Sequence, residues 1–203
     1  MQWDRLFEDL EGQLSSEWEA ERAALDAESE RLRISKLDIR HRLRVLCSAE
    51  ATAAVTLTGL GRLPLRLVAL GADWVAAADV PAQGARTAHT IRIIPLHAIH
   101  GIRIDHGMLL ASLNEDSGAT GALRERMTLG FVLRDIARRR TSVRISTVDG
   151  EDLHGTIDRA GADHLDLAEH DPGQARFAAS VTGFRIVPLD AVAAIQTSGD
   201  QLL

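Results

Sequence analysis

The sequence predicts a mainly β protein with helices: an N-terminal helical arm, residues 1–34, followed by two tandem copies of a unit of one helix and five short strands. Three observations predict it. GADWVAAAD (71–79) returns as GADHLDLAE (161–169), 90 positions later. IRIIPLHAIHGI (91–102) returns as FRIVPLDAVAAI (184–195), aligning Arg92 with Arg185, Ile93 with Ile186, Pro95 with Pro188, Leu96 with Leu189, Ala98 with Ala191 and Ile102 with Ile195 at an offset of 93. The apolar spacing also changes twice from steps of three and four to alternation, each time after a basic helical segment, and matched segments in the same order signify a repeat.

Residues 3–33 lack proline and place Trp3, Leu6, Phe7, Leu10, Leu14, Trp18 and Leu25 mostly at three- and four-residue steps, the pattern of an amphipathic helix. Ser16 with Glu19, and Ser35 with Asp38, have the spacing of a capping box, so the segment is one helix or as many as three. The last, about Ser35 to Cys47, would bury Ile39, Leu43 and Leu46. From Val55 the period is two: Val55 and Leu57, a turn at Gly59-Leu60-Gly61, then Leu63, Leu65 and Leu67. WVAAAD, a loop at 80–89 and two apolar strands hinged at Pro95 complete the first unit, residues 35–104. The uninterrupted apolar text of 91–104 calls for pairing on both edges and both faces. Residues 105–121 form a linker, because NEDSGATG is turn chemistry without apolar period.

The second unit, 122–197, opens with a helix burying Leu129, Val132, Leu133 and Ile136 while Arg134 and Arg138 face away. Val143, Ile145 and Thr147 lead to Asp149-Gly150, a hairpin signal, and Leu153, Gly155 and Ile157 lead to Gly161. HLDLAE, a loop and FRIVPLDAVAAI follow, with a tail at 198–203. In both copies Gly71 and Gly161 are expected to supply a positive φ at a tight reversal. Asp73 and Asp163 are expected to accept from backbone N–H groups beside it, a structural role.

Composition narrows the function. Residues 1–33 hold ten acids against four arginines and so carry the whole net charge of −6; the remaining 170 residues balance at 19 and 19. No global field draws this chain to a polyanion. Aromatic content is 3% with no tyrosine, which leaves little for stacking bases. Cys47 is the lone cysteine, and neither an apolar run of about 18 residues nor a signal-type segment stands out, so a cytoplasmic location without membrane contact is expected.

VRISTVDGEDLHGTIDRAGADHLDLAE (143–169), and more faintly 55–79, resembles the Sm-like family, which includes bacterial RNA chaperones; the chain is also similar to actinobacterial proteins. The resemblance implies a tandem pair of strongly bent, partly open Sm-like small barrels. It carries no RNA pocket over, because the corresponding stretches here read GADHL and IVPLDAV, or GADWV and IIPLHAI, without the family's turn asparagine or its RG-type element.

Chemistry-bearing residues are sparse. His97, His100 and His106 lack a completing Cys or acid cluster, and on a strand a three-residue step places side chains on opposite faces. Gly59-Leu60-Gly61 lacks the third glycine of a dinucleotide loop, and no GxSxG, HExxH or P-loop occurs. No cofactor, metal or catalytic residue is expected. Two interaction elements remain. Trp3, Leu6, Phe7, Leu10, Leu14 and Trp18 form an apolar stripe suited to docking a protein partner or a second copy. Arg134, Arg138, Arg139, Arg140 and Arg144 are candidates for RNA phosphates, against the alternative that Arg138 to Arg140 cap a helix C-terminus, with Arg134 and Arg138 solvated or paired to the acidic arm. The expectation is a non-enzymatic assembly or adaptor protein built on two paired Sm-like barrels, its N-terminal helix docking onto a protein partner or a second copy, with an RNA-binding regulator of the Sm-like type that uses the Arg-rich helices as the alternative.

Overall fold

The computed structural model describes residues 2–80, 90–114, 123–173 and 176–198, with side chains within residues 12–197. Contacts divide the chain into two units, residues 1–39 and 40–203. The first is almost entirely helix α1, Gln2–Ser35. It runs unbroken through Ser16, whose hydroxyl donates to the Gln13 carbonyl at 2.8 Å, as Ser35 does to Leu32. Neither serine caps a helix start, because a hydroxyl inside a helix can bond back to its own preceding turn. Helix α2, Ile39–Ser48, begins just past Asp38. It buries Leu43, Leu46 and Cys47 but leaves Ile39 exposed, a correction to its expected stripe.

Ten strands follow among the described residues: β1 Thr52–Leu57, β2 Gly61–Leu70, β3 Trp74–Asp79, β4 Thr90–Pro95, β5 Ile99–Arg103, β6 Ser142–Thr147, β7 Asp152–Ala160, β8 His164–Glu169, β9 Gly183–Pro188 and β10 Val192–Ser198. Between β5 and β6 lie α3, His106–Ala111, a short 3-10 turn at Leu123–Arg126, and α4, Leu129–Arg139. Helix α3 falls in the expected linker, where Asp105 accepts from the Met108 amide at 3.0 Å and starts it. The rest of that linker from residue 115, the loop at 81–89 and the tail from 199 lie outside the described residues. Helix α4 buries Leu129, Val132, Leu133 and Ile136, the stripe its spacing predicts.

All ten strands belong to one antiparallel sheet in the order β5-β1-β2-β3-β4-β10-β6-β7-β8-β9. This overturns the expected arm followed by two separate Sm-like barrels. The reason lies in β4, whose outer edge pairs with β10 as Ile93↔Ile195, Arg92↔Gln196, Ile91↔Thr197 and Thr90↔Ser198. A strand edge left unpaired costs its backbone hydrogen bonds, and the second half supplies them here. The apolar cores interlock as well. Ala69, Trp74, Ala76 and Ile93 from the first half pack with the second half's core, while Ala194 packs with the first's.

Within that sheet the repeat is plain. Each half contributes its strands in the order fifth, first, second, third, fourth. Register shifts fall at Leu67/Ala69 and at Ile157/Arg159, and again at Thr56/Leu57 and Val192/Ala194. A 3-10 turn follows Pro95 in one half and Pro188 in the other. Glu50 and Arg140, just past α2 and α4, both take a left-handed φ, of 45° and 54°. Among the described residues the sheet ends at two strands with one neighbour each, β5 and β9.

Candidate functional site

The arginines of α4 are largely engaged. Arg138 and Arg139 both pair with Asp135, three and four residues back, a spacing that puts them on one helix face. Arg144 pairs with Asp152, which also accepts from the Ser146 hydroxyl; the guanidinium first, and then the hydroxyl, hold the Asp152 carboxyl below the usual carboxylate range. Arg140 closes the helix, its amide donating to the Ala137 carbonyl at 3.1 Å, and Arg134 is exposed. A cleft of about 440 Å³ beside them adds Arg159 and Arg176, which sequence reading missed because 20 residues of chain or more separate them from α4. Arg176 pairs with Asp158 at 2.5 Å and Arg159 with Asp166 at 3.8 Å, so acids offset most of that charge.

Along α1, the side chains of Trp3, Leu6, Phe7 and Leu10 lie outside the described residues. Leu14 and Trp18 are exposed, as are Leu25 and Leu32 further on. At about 100° per residue these four fall within roughly 40° of one another around the helix axis, a narrow apolar line on an acidic helix.

The two Gly-Ala-Asp turns have the same backbone geometry and different surroundings. Gly71 N–H donates to Trp74 O at 2.8 Å, and Gly161 N–H to His164 O at 2.8 Å. Neither glycine has a positive φ, contrary to expectation. Glycine stands there because of close approach: a Cβ on Gly71 would sit 2.2 Å from the Trp74 ring, and one on Gly161 would sit 2.7 Å from the His164 ring. Asp73 does accept from a backbone N–H, but a distant one. Its Oδ1 takes the Leu129 amide at 2.6 Å, at the first residue of α4, where the helix dipole favours an anion. Ala72 N–H and Trp74 Nε1 both donate to Met127 O, each at 2.9 Å. The turn of the first half is therefore the seat on which the second half's helix starts. Asp163 has no such load: its side chain is 90% exposed and accepts from its neighbour His164, which holds its carboxyl below the ordinary range.

That contrast gives a direct expectation. Asp73→Ala should lower the unfolding free energy by about 1–2 kcal/mol by stranding the buried Leu129 amide, because the N-cap hydroxyl of Thr128 accepts from Phe131 instead, whereas Asp163→Ala in dilute, unassembled protein should change it by less than about 0.5 kcal/mol. Urea titration of the two variants reads the difference.

The same asymmetry appears on the strands. Ile93 of β4 is 1% exposed, while its counterpart on β9, Ile186, is 69% exposed and Phe184 beside it 71%. Both are large apolar side chains left in water on the outermost strand of the described sheet.

No three His, Cys, Asp or Glu side chains gather closely enough for a metal ion among the described residues. His97 lies in the 3-10 turn rather than on a strand, and His100 Nε2 lies 2.8 Å from the Thr58 hydroxyl. The Cys47 thiol is buried; burial first, and the Glu125 carboxylate second, push it up to about 12, so it stays protonated and unreactive at neutral pH. A groove of about 390 Å³ between α4 and strands β2–β4 is lined by Trp74, Ile91, Ile93, Met127 and Phe131. No described helix is long and apolar enough to cross a membrane. No protein-family model, curated protein or solved structure matches the chain.

Proposed function

We propose that this chain is a non-enzymatic assembly or adaptor protein of the cytoplasm, in which helix α1 docks onto a partner helix or a second copy and the ten-stranded sheet is the platform. One observation carries the reading. Leu14, Trp18, Leu25 and Leu32 form a single exposed apolar line along a helix that is its own structural unit. A leucine or tryptophan left in water forfeits about 1.5–3 kcal/mol of burial, and four of them in line amount to a seam awaiting a partner.

The test is the mass in solution of the full chain and of a variant carrying Leu14→Glu, Trp18→Glu and Leu25→Glu, by light scattering at low and high salt. The expected result is at least a halving of the wild-type mass in the variant, and little change in the wild type with salt, because apolar docking does not depend on counterions. An unchanged mass sinks docking of α1 onto a second copy. A high ratio of absorbance at 260 to 280 nm, removed by nuclease and lost on replacing Arg138, Arg139 and Arg140 with alanine, would replace it with an RNA-binding regulator, whose affinity falls steeply with salt.

A further inference from the structure

The way the two halves of this chain hold each other is a template for how one copy holds the next. The internal junction has three parts. The outer edge of β4 pairs with β10. Asp73 accepts from the first amide of α4. Ile93 is buried against the second half's core. In the second half each counterpart lacks an occupant among the described residues: β9 has one strand neighbour, Asp163 is exposed, and Ile186 and Phe184 face solvent. The missing elements are a fifth strand and the helix that precedes a first strand, and the first half of the chain has both. Its β5 has one neighbour, β1, and α2 stands before β1 as α4 stands before β6.

We infer that β9 of one copy receives β5 of a second copy, head to tail, with Asp163 capping the leading end of that copy's α2. The inference rests on the reading that the chain works by assembly and names the occupant of its sheet edge. Transferring the β4–β10 register by the repeat offset of 93 pairs Ile102 with Ile186, Arg103 with Arg185, and Ile104 with Phe184. Two arginines across a ladder repel in isolation. Arg185, however, already holds two carboxylates, Glu151 at 2.8 Å and Glu169 at 2.9 Å, so the cluster carries a net negative charge that an incoming Arg103 neutralises. Because the two surfaces differ, the contact is heterologous, and repetition yields a closed ring or an open chain, not a two-fold dimer.

Two cysteine variants test this in a Cys47→Ala background: Ile102→Cys and Ile186→Cys, each in the full chain. Directly opposed residues of an antiparallel pair lie within disulfide reach. Mild oxidation of the mixed variants should give a covalent dimer, at least tenfold more than either variant alone. The same dimer should form in the α1 variant with three glutamates, which separates this contact from the helical one. A mixture yielding no more cross-link than its components overturns the proposal. So does efficient cross-linking of Ile186→Cys alone, the signature of β9 pairing with itself about a two-fold axis. As a second reading, Phe184→Asp with Ile186→Asp should lower the assembled mass while leaving the melting temperature of the dilute protein within about 2 °C, since both side chains are already exposed. An undiminished mass with an unchanged melting temperature contradicts the inference.

Discussion

Replacing Ile195 with alanine is expected to lower the unfolding free energy by about 2–5 kcal/mol, the range for truncating a fully buried branched side chain whose cavity does not collapse. Ile195 is 0% exposed and sits on β10 between Ile93 of β4 and Ile145 of β6, where the two halves meet. A cavity there is felt on both sides. The expected thermal transition is a single one, shifted down by about 2–4 °C for each kcal/mol in a chain of this length. Two separate transitions in the Ile195→Ala variant, with the first half melting at the wild-type temperature, would show halves that do not share a core.

Gly59→Ala is expected to be the second most damaging change, and Gly61→Ala is its internal control. Both glycines take a positive φ, 73° and 69°, so alanine at either pays about 1–2 kcal/mol of backbone strain. They differ in what surrounds them. A Cβ on Gly61 meets nothing within 4 Å, whereas one on Gly59 would lie 2.7 Å from the carbonyl oxygens of Thr147 and Val148 and 2.9 Å from the Gly150 amide. Those atoms belong to the β6–β7 turn of the other half, and backbone cannot step aside as a flexible side chain would. Overpacking of that kind adds about 1–3 kcal/mol. Urea midpoints of the two variants measure the difference. Equal losses would mean that the hairpin turns of the two halves do not touch.

How much of this was legible in the sequence follows from the range over which each signal acts. Alternation at Val55–Leu57 and Val143–Thr147, and the punctuation of Asp149-Gly150 and Pro95, are local and place strands, turns and the repeat. The stripe Leu129, Val132, Leu133, Ile136 is likewise local and marks a buried helix face. The joining of the halves is not local. IRIIPLHAIHGIRI asks for cover on both edges, and β4 has it; β5, from the same stretch, has one neighbour, because nothing in alternation says which strand arrives. Asp73 reads as a turn residue, and the amide it accepts from is 56 positions away. The Gly-Ala-Asp glycines read as positive-φ positions because that is the commonest need for glycine at a reversal, while the actual need is room for the Trp74 and His164 rings. The exposed Phe184 and Ile186 were hidden by their likeness to Ile91 and Ile93, since matched apolar positions are covered in one half and bare in the other. Among the candidate sites, Leu14, Trp18, Arg134 and Arg138 are exposed; the pairing of Arg138 and Arg139 with Asp135 and of Arg144 with Asp152, in place of the acidic arm, follows from helix and hairpin geometry that the sequence holds only implicitly.

The claim on which the rest depends is that β4 and β10 are the middle of one sheet. Amide hydrogen exchange of the full chain, followed residue by residue, tests it most directly, because amides in the centre of a sheet open only with the whole fold while edge strands open locally. Ile91, Ile93, Ile195 and Thr197 are expected to be among the slowest amides of the protein, and β5 and β9 in dilute solution the fastest of the ten strands. Exchange at β4 and β10 as rapid as at those two edges would contradict it.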